Sequence, residues 1–395
     1  MAYTVYDSAY AYLNKIKSAL AISAKTSILH NEDDFRFELR GGKTLVRSAD
    51  AGGAGTYNKS RGFTQPYGGG TGITWEEYEP QNDRAKVIRV DKADELASYL
   101  AGMDSSIGAM AHSYGRIYFA PEFDAVNIAT LFNKIPEDNV ITTGTDGYKT
   151  DIDNICQTII NIDAAMYNAG SDGPAVIFIE FSVFASLQAA LLKNPGALAF
   201  VNALREVRIA TGFESLIGME APLTVQTKVL KWNEHYIVPM PSNRMNSLIT
   251  LLDGQSEGQE AGGYEVGGEG NRVIRILAVP LEAGFTSVRY EVNNLLLPGD
   301  MRGFNISDSE VTRAMTKLRE GVDGSGMFSN MTIQNVAFNP YYDAFEFQSR
   351  IIYGADIFKS RKNVCFAVAD EPTEEEDDGD GDGDGDGVGD GVGEG

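Results

Sequence analysis

Two rhythms of apolar side chains alternate along this sequence. Over residues 1–34, apolar positions from Tyr6 to Ala24 fall at helical intervals and then give way to polar His30, Asn31 and Glu32, which predicts a short helix in an N-terminal arm. From Phe35 the period drops to two: Phe35, Phe37 and Leu39 alternate with Arg36, Glu38 and Arg40, the pattern of a half-buried strand. A second extended run covers Arg84 to Val90. The helical period returns at Asp94, with Leu96, Leu100, Met103, Ile107, Met110, Tyr114 and Ile117 on one face, and Asp94 and Glu95 suit the positive N-terminal end. Pro121 is expected to break or kink this helix, because proline lacks the N–H donor. Phe123, Val126 and Phe132 resume the period, so the element could reach ~60 Å at ~1.5 Å per residue.

The middle of the chain mixes both periods. Asp151 to Tyr167 predicts a helix with Ile152, Ile155, Ile159, Ile162 and Met166 inward, ended by Gly170 to Gly173. Ala175 to Phe181 predicts a buried strand, and Ser182 a cap for a helix running through Leu192. Further strands are expected at Tyr236–Pro239, Arg272–Val279, Thr286–Tyr290, Tyr342–Ile352 and Val364–Ala369, and a mobile loop at Gln255–Gly270.

Between the first two strands lies Ser48 to Gly72, crowded with glycine and punctuated by Tyr57, Arg61, Phe63 and Tyr67, with Trp75 just beyond. A loop this long cannot bury its own aromatics, so these five residues are candidate contacts to another subunit.

Charge adds one feature. The 395 residues carry 33 Lys and Arg against 56 Asp and Glu, a net charge of −23. Residues 370–395 hold 13 of the acids and no base, which leaves 33 bases and 43 acids in the first 369 residues. This tail alternates Asp and Gly, has almost nothing to bury and is expected to be disordered. No basic excess of the kind that drives nucleic-acid binding exists. No apolar run reaches the ~18 residues of a membrane span, and Met1 to Tyr10 has no signal-peptide pattern.

The candidate chemistry is thin. Gly42, Lys43 and Thr44 resemble the end of a phosphate-binding loop, but Phe37 stands where its first glycine belongs, and Gly68 to Gly72 lacks the lysine. Asp382, Asp384, Asp386 and Gly387 imitate a calcium loop whose twelfth position is Gly393 instead of glutamate. His30, His112 and His235 have no ligand or triad spacing, and Cys156 and Cys365 form no CxxC motif. No catalytic, metal or cofactor site is expected, and a reducing cytoplasm suits two lone cysteines.

Four local motifs, in order over residues 35–369, resemble the major capsid proteins of tailed bacteriophages, the Hong Kong 97-type fold also seen in encapsulins. The first is Tyr57, Asn58, Lys59, Ser60, Arg61, Gly62, Phe63, Thr64, with Thr74, Trp75, Glu76, Asp83 and Arg84. The second runs from Ala120 and Pro121 through Glu122, Phe123 and Asp124 to Ala125. The third is Val238, Pro239, Met240, Pro241, Ser242, Asn243, Arg244. The last is Asp343, Ala344, Phe345, Phe347, Arg350, Tyr353, Asp356 and Phe358, then Lys359 to Val364.

The resemblance implies an α+β fold divided as an N-terminal arm (1–34), an extended β-hairpin loop (35–91), a long spine helix with the first part of a peripheral domain (92–146), an axial αβ domain (147–336), peripheral return strands (337–369) and the acidic tail (370–395). The axial region is enlarged around residues 195–270, and the tail is a departure from the family. The arm is too short for a built-in scaffolding domain, so a separate scaffolding protein or none is expected. The implied function is structural: self-assembly into the pentamers and hexamers of an icosahedral shell that encloses double-stranded DNA, in the virion after assembly in the host cytoplasm. Implied partners are further copies of the chain, with scaffolding, portal and cement proteins, and no membrane. Some relatives cross-link subunits through a lysine and an asparagine; Lys59 with Asn339 or Asn363 are the positions to consider. An encapsulin-like compartment shell and a cytosolic αβ enzyme are the alternatives.

Overall fold

The computed structural model describes residues 23–29, 35–37, 44–51, 71–78, 80–91, 94, 106–193, 205–206, 229–232, 234–254, 262–298, 331–339 and 344–373. Strands β1 (Phe35–Phe37), β2 (Thr44–Ala51) and β3 (Thr71–Tyr78) form an antiparallel sheet in which Thr44 faces Tyr78 and Ala51 faces Thr71. Strand β4 (Asn82–Asp91) leaves this sheet and joins β13 (Gly284–Pro298), β14 (Met331–Asn339) and β15 (Ala344–Ile357) in the order β14-β13-β15-β4. Strands β13 and β15 run well past the expected spans, because their mutual register continues from Gly284 opposite Ile357 to Leu296 opposite Glu346.

A seven-stranded sheet follows the order β5-β16-β12-β6-β9-β8-β7. Its members are β5 (Val140–Thr142), β6 (Ala175–Glu180), β7 (Arg205–Glu206), β8 (Leu230–Trp232), β9 (His235–Met240), β12 (Ile274–Pro280) and β16 (Phe366–Ala369). All six residues of β6 are buried, as its continuous apolar run requires when both faces are covered. Alternation along β6 divides two cores: Val176 and Phe178 pack with Ile128, Leu131 and Phe132, whereas Ala175, Ile177 and Ile179 pack with Ile155, Ile159 and Phe184. The helices of the second core are α3 (Ile155–Asn168) and α4 (Phe181–Lys193). Ile152 lies before α3 and is exposed, and Ser182 stands inside α4 instead of capping it, since the helix begins at Phe181.

The long helix is α1 (Ser106–Tyr114), a π-helical turn (Gly115–Phe119) and α2 (Ala120–Lys134), about 43 Å of uninterrupted helix at ~1.5 Å per residue. The expected break at Pro121 does not occur. The Ala120 amide bonds to the Gly115 carbonyl five residues back, and this widened turn brings Pro121 into the first turn of α2, where a missing donor costs least. The inserted residue also rotates the helix face. Phe119 and Phe123 turn inward against Tyr353 of β15, with ring centroids 5.2 and 5.5 Å away. Met110 and Ile117, expected inside, are 50% and 61% exposed. The helix thus packs on the four-stranded sheet near its start and on the seven-stranded sheet near its end.

Of the loop expected at Gln255–Gly270, residues 255–261 lie outside the described residues, and the remainder is not simply a loop. Strands β10 (Ile249–Leu251) and β11 (Tyr264–Val266) pair as a hairpin, with positive-φ glycines at 262, 263, 267, 268 and 270 shaping its ends.

Candidate functional site

Two carboxylates at the start of α2, Glu122 and Asp124, are buried, and an ionised carboxylate without partners is costly there. Standing two positions apart on a helix, they point to opposite sides and gather different segments. Glu122 accepts from Arg84 Nε and Nη2 at 2.8 and 2.9 Å, from the Tyr353 hydroxyl at 2.8 Å and from the Gly263 amide at 3.2 Å. Arg84 also donates to the Leu252 carbonyl at 2.9 Å and the Gly263 carbonyl at 3.2 Å, gripping the neck of the β10–β11 hairpin. Burial works against the Arg84 charge, but its hydrogen bond and attraction to Glu122 outweigh burial and hold the guanidinium above its ordinary value. Burial and then the charge of Glu122 push Tyr114 up to about 12; the same two causes, in that order, raise Tyr353.

Asp124 accepts from the Lys25 and Thr26 amides at 3.1 and 2.9 Å, the Thr26 hydroxyl at 2.8 Å and Arg244 Nη1 at 2.9 Å. Asn127, one turn on, donates to the Thr26 hydroxyl oxygen at 3.2 Å, and the Lys25 ammonium donates to the Pro239 carbonyl. Arg84, Glu122 with Asp124, Arg244 and Tyr353 come one from each of the four sequence motifs, so the junction draws all four together.

Other charged groups brace single elements. Arg275 clasps Asp370 through three contacts of 2.7 to 3.1 Å and also reaches buried Glu180, tying β12, β6 and the end of β16. Arg350 binds Asp83 across β15 and β4, with Nε 2.8 Å from a carboxylate oxygen. His235 Nδ1 accepts the Ala175 amide at 3.1 Å, so Nε2 carries the proton and donates to Asp163 at 2.8 Å. These groups brace one element against another, and each carboxylate of the junction accepts four hydrogen bonds from its neighbours.

The outer side of the long helix differs. Met110, Ile117 and Tyr118 are exposed, Tyr118 at 58%, and the last two border an open depression of about 420 Å³. Pro121, Asn243, Arg244, Gly263, Tyr264 and Val266 complete its lining.

Of the five loop residues singled out by sequence, Tyr57, Arg61, Phe63 and Tyr67 lie outside the described residues. Trp75 lies in β3 opposite Arg47 of β2. Lys59 is also outside, Asn339 ends β14, and Asn363 is exposed in the turn Lys359–Val364. Cys156 and Cys365 are free thiols. Among the described residues no cluster of three metal-ligating side chains occurs, and no helix is long and apolar enough to cross a membrane. The partnership of Asp124 with Arg244 is not visible as a motif; its signal is two acids and an asparagine on a helix otherwise apolar enough to be buried all round.

No family model matches the sequence, and no curated protein matches it. Solved structures resemble it over most of its length. The head structure of Helicobacter pylori bacteriophage KHP40 is 10% identical, with 89% of this chain and 91% of that chain covered, at a TM-score of 0.42. The capsid of Staphylococcus phage Andhra is 9% identical, with 89% and 85% covered, at 0.41. A virus-like particle from Pyrococcus furiosus is 10% identical, with 91% and 99% covered, at 0.38.

Proposed function

We propose that this chain is the major capsid protein of a tailed bacteriophage, a subunit that closes with copies of itself into an icosahedral shell of pentamers and hexamers around double-stranded DNA. The observation that carries this is the outward face of the long helix. A monomer gains nothing by exposing Met110, or Ile117 and Tyr118 beside a depression, whereas an apolar patch rimmed by polar residues is the mark of a protein contact. The occupant in this reading is the glycine-rich loop of a neighbouring copy, with Tyr57, Arg61, Phe63, Tyr67 and Trp75 as its contacts. Burial yields roughly 25 cal/mol per Å², so each contact is modest and the strength comes from many contacts engaged together.

The junction supports the same role. Repeated head-to-tail contacts close into a ring only if every subunit presents its surfaces at one angle. Glu122 and Asp124 bind the long helix to the four-stranded sheet, to the segment at Lys25 and Thr26, and to the turn at Arg244, which in this reading holds together the parts that present those surfaces. The order of elements along the chain, antiparallel strands, long helix, mixed sheet and returning strands, supports this reading.

Negative-stain electron microscopy of the purified full chain tests the proposal. Closed shells of uniform size are expected, with co-purifying DNA distinguishing a phage head from a compartment shell. A stable monomer at micromolar concentration in assembly buffers overturns it.

A further inference from the structure

His235 opens β9, and its buried ring joins elements that meet at one end of the seven-stranded sheet. Nδ1 accepts the Ala175 amide of β6 at 3.1 Å, and Nε2 donates to Asp163 of α3 at 2.8 Å. Trp232 of β8, opposite His235 in the hairpin register, lies against the ring with centroids 5.9 Å apart. The β6–β9 ladder begins at Val176 opposite Tyr236, so the imidazole nitrogen stands in for a strand partner at the amide just before it.

This arrangement suits one protonation state alone. Histidine is the side chain that ordinarily changes charge between about pH 5 and 8. A proton on Nδ1 turns that atom from acceptor to donor and sets two N–H groups face to face across 3.1 Å. The Ala175 amide then loses its partner, and Ala175 is fully buried, so no solvent is at hand to replace it. On the other nitrogen the added charge strengthens the bond to Asp163. That side chain is 33% exposed, so solvent screens much of the gain. The balance favours a protonated ring that keeps Asp163 and leaves β6.

Neighbouring charges act in the same direction. Among the described residues, Asp163 is the one charged group bonded to the ring. Glu234 precedes His235 in the chain and Asp172 lies in the segment entering β6; both are exposed and carry the sign that favours proton uptake. The Lys231 ammonium of β8 stands over the Tyr236 ring, 5.6 Å from its centroid. Otherwise α3 gives this core Ile155, Ile159, Ile162 and Met166, which carry no charge.

We infer that His235 is an acid-sensitive latch: on taking a second proton it lets go of the Ala175 amide and frees the start of β6 from the β8–β9 turn, while staying tied to α3 through Asp163. The device lies within one subunit and is read on the chain whether or not shells form, so its failure leaves the capsid proposal untouched.

Nitrogen-15 labelling of the three histidines of the full chain, read by solid-state magnetic resonance, tests it. At about pH 7.5 one imidazole should show a bare Nδ1 and a proton on Nε2, and Asp163→Asn should displace its Nε2 signal, which assigns it to His235. By about pH 5 that ring should carry both protons. Over the same interval deuterium uptake by a peptide spanning residues 172–180, corrected for the intrinsic rate, should rise on the order of tenfold. Asp163→Asn removes the charge that steadies the doubly protonated ring, so it should move both transitions to lower pH. His235→Asn keeps an acceptor for Ala175 but has nothing to titrate, and uptake should stay level across the range; the magnetic resonance and Asp163→Asn readouts decide the matter if that variant does not fold. A ring that stays singly protonated down to about pH 5, a doubly protonated ring with unchanged uptake, or transitions indifferent to Asp163→Asn overturns the inference.

Discussion

Arg84 and Glu122, 38 residues apart, meet in a two-pronged ion pair whose oxygens lie 2.8 and 2.9 Å from the guanidinium nitrogens. The carboxylate is buried, and Tyr353 and the Gly263 amide share it. Removing one partner leaves an uncompensated charge in the interior, which costs about 3–5 kcal/mol, much more than the pair is worth against an apolar replacement. Arg84→Met and Glu122→Gln should each lower the denaturation midpoint sharply, and the R84M/E122Q double variant should lose less than the sum. Urea melts of the three variants and the parent chain give the coupling directly.

Gly354 of β15 has no room for a side chain. A Cβ there lies 2.2 Å from the Tyr78 hydroxyl oxygen and 3.4 Å from the Gln81 amide nitrogen. Gly354→Ala is therefore expected to destabilise by about 1–3 kcal/mol, the usual cost of overpacking. Tyr78→Phe removes the obstructing oxygen but keeps the ring against Phe285, 5.3 Å away, so the G354A/Y78F pair should recover part of the loss. Recovery in thermal melts separates this steric contact from a general intolerance at β15.

Alkaline stability follows from two buried acids. Burial pushes the Cys365 thiol from its ordinary 9.0 up to about 12, and burial followed by the charge of Glu122 pushes Tyr114 from 10.0 up to about 12. Both folded-state values are raised, so each group favours folding fully below its unfolded value, and that contribution is lost as pH rises through the folded one. Stability should hold to about pH 9 and then fall between pH 9 and 12 in chemical melts. Burial raises Cys156 as well, but this thiol is only half-buried, so a thiol reagent at pH 8 should label Cys156 first and Cys365 only on unfolding.

Much of this architecture was legible in the sequence, for identifiable reasons. The inward face of α3, Ile155, Ile159, Ile162 and Met166, follows an undisturbed helical period, and β6 reads as buried because both its faces are covered. The long helix misleads because a π-turn inserts one residue, which no 3.6-residue period registers. Met110 and Ile117 thus looked like core positions and Pro121 like a break. The junction was legible only in pieces. All four motifs were visible along the chain, but that Asp124 meets Arg244, 120 residues away, depends on the tertiary path and leaves no local signal. The same holds for His235 and Asp163, 72 residues apart.

The outward face of the long helix separates folding from assembly. Ile117 and Tyr118 are 61% and 58% exposed, so polar replacements there remove little that the single chain buries, and surface changes of this kind stay within about 0.5 kcal/mol. In a shell the same residues would be covered many times over, and losing about 1.5–3 kcal/mol of burial per side chain at every contact compounds across the particle. I117S/Y118S should therefore melt like the parent chain yet yield no closed particles by electron microscopy or sedimentation. A control at Leu192, which is 88% exposed on α4 and away from the depression, should assemble as the parent does when changed to serine. Normal shells from I117S/Y118S would locate the subunit contact elsewhere on the surface and remove the main support for the glycine-rich loop as its partner.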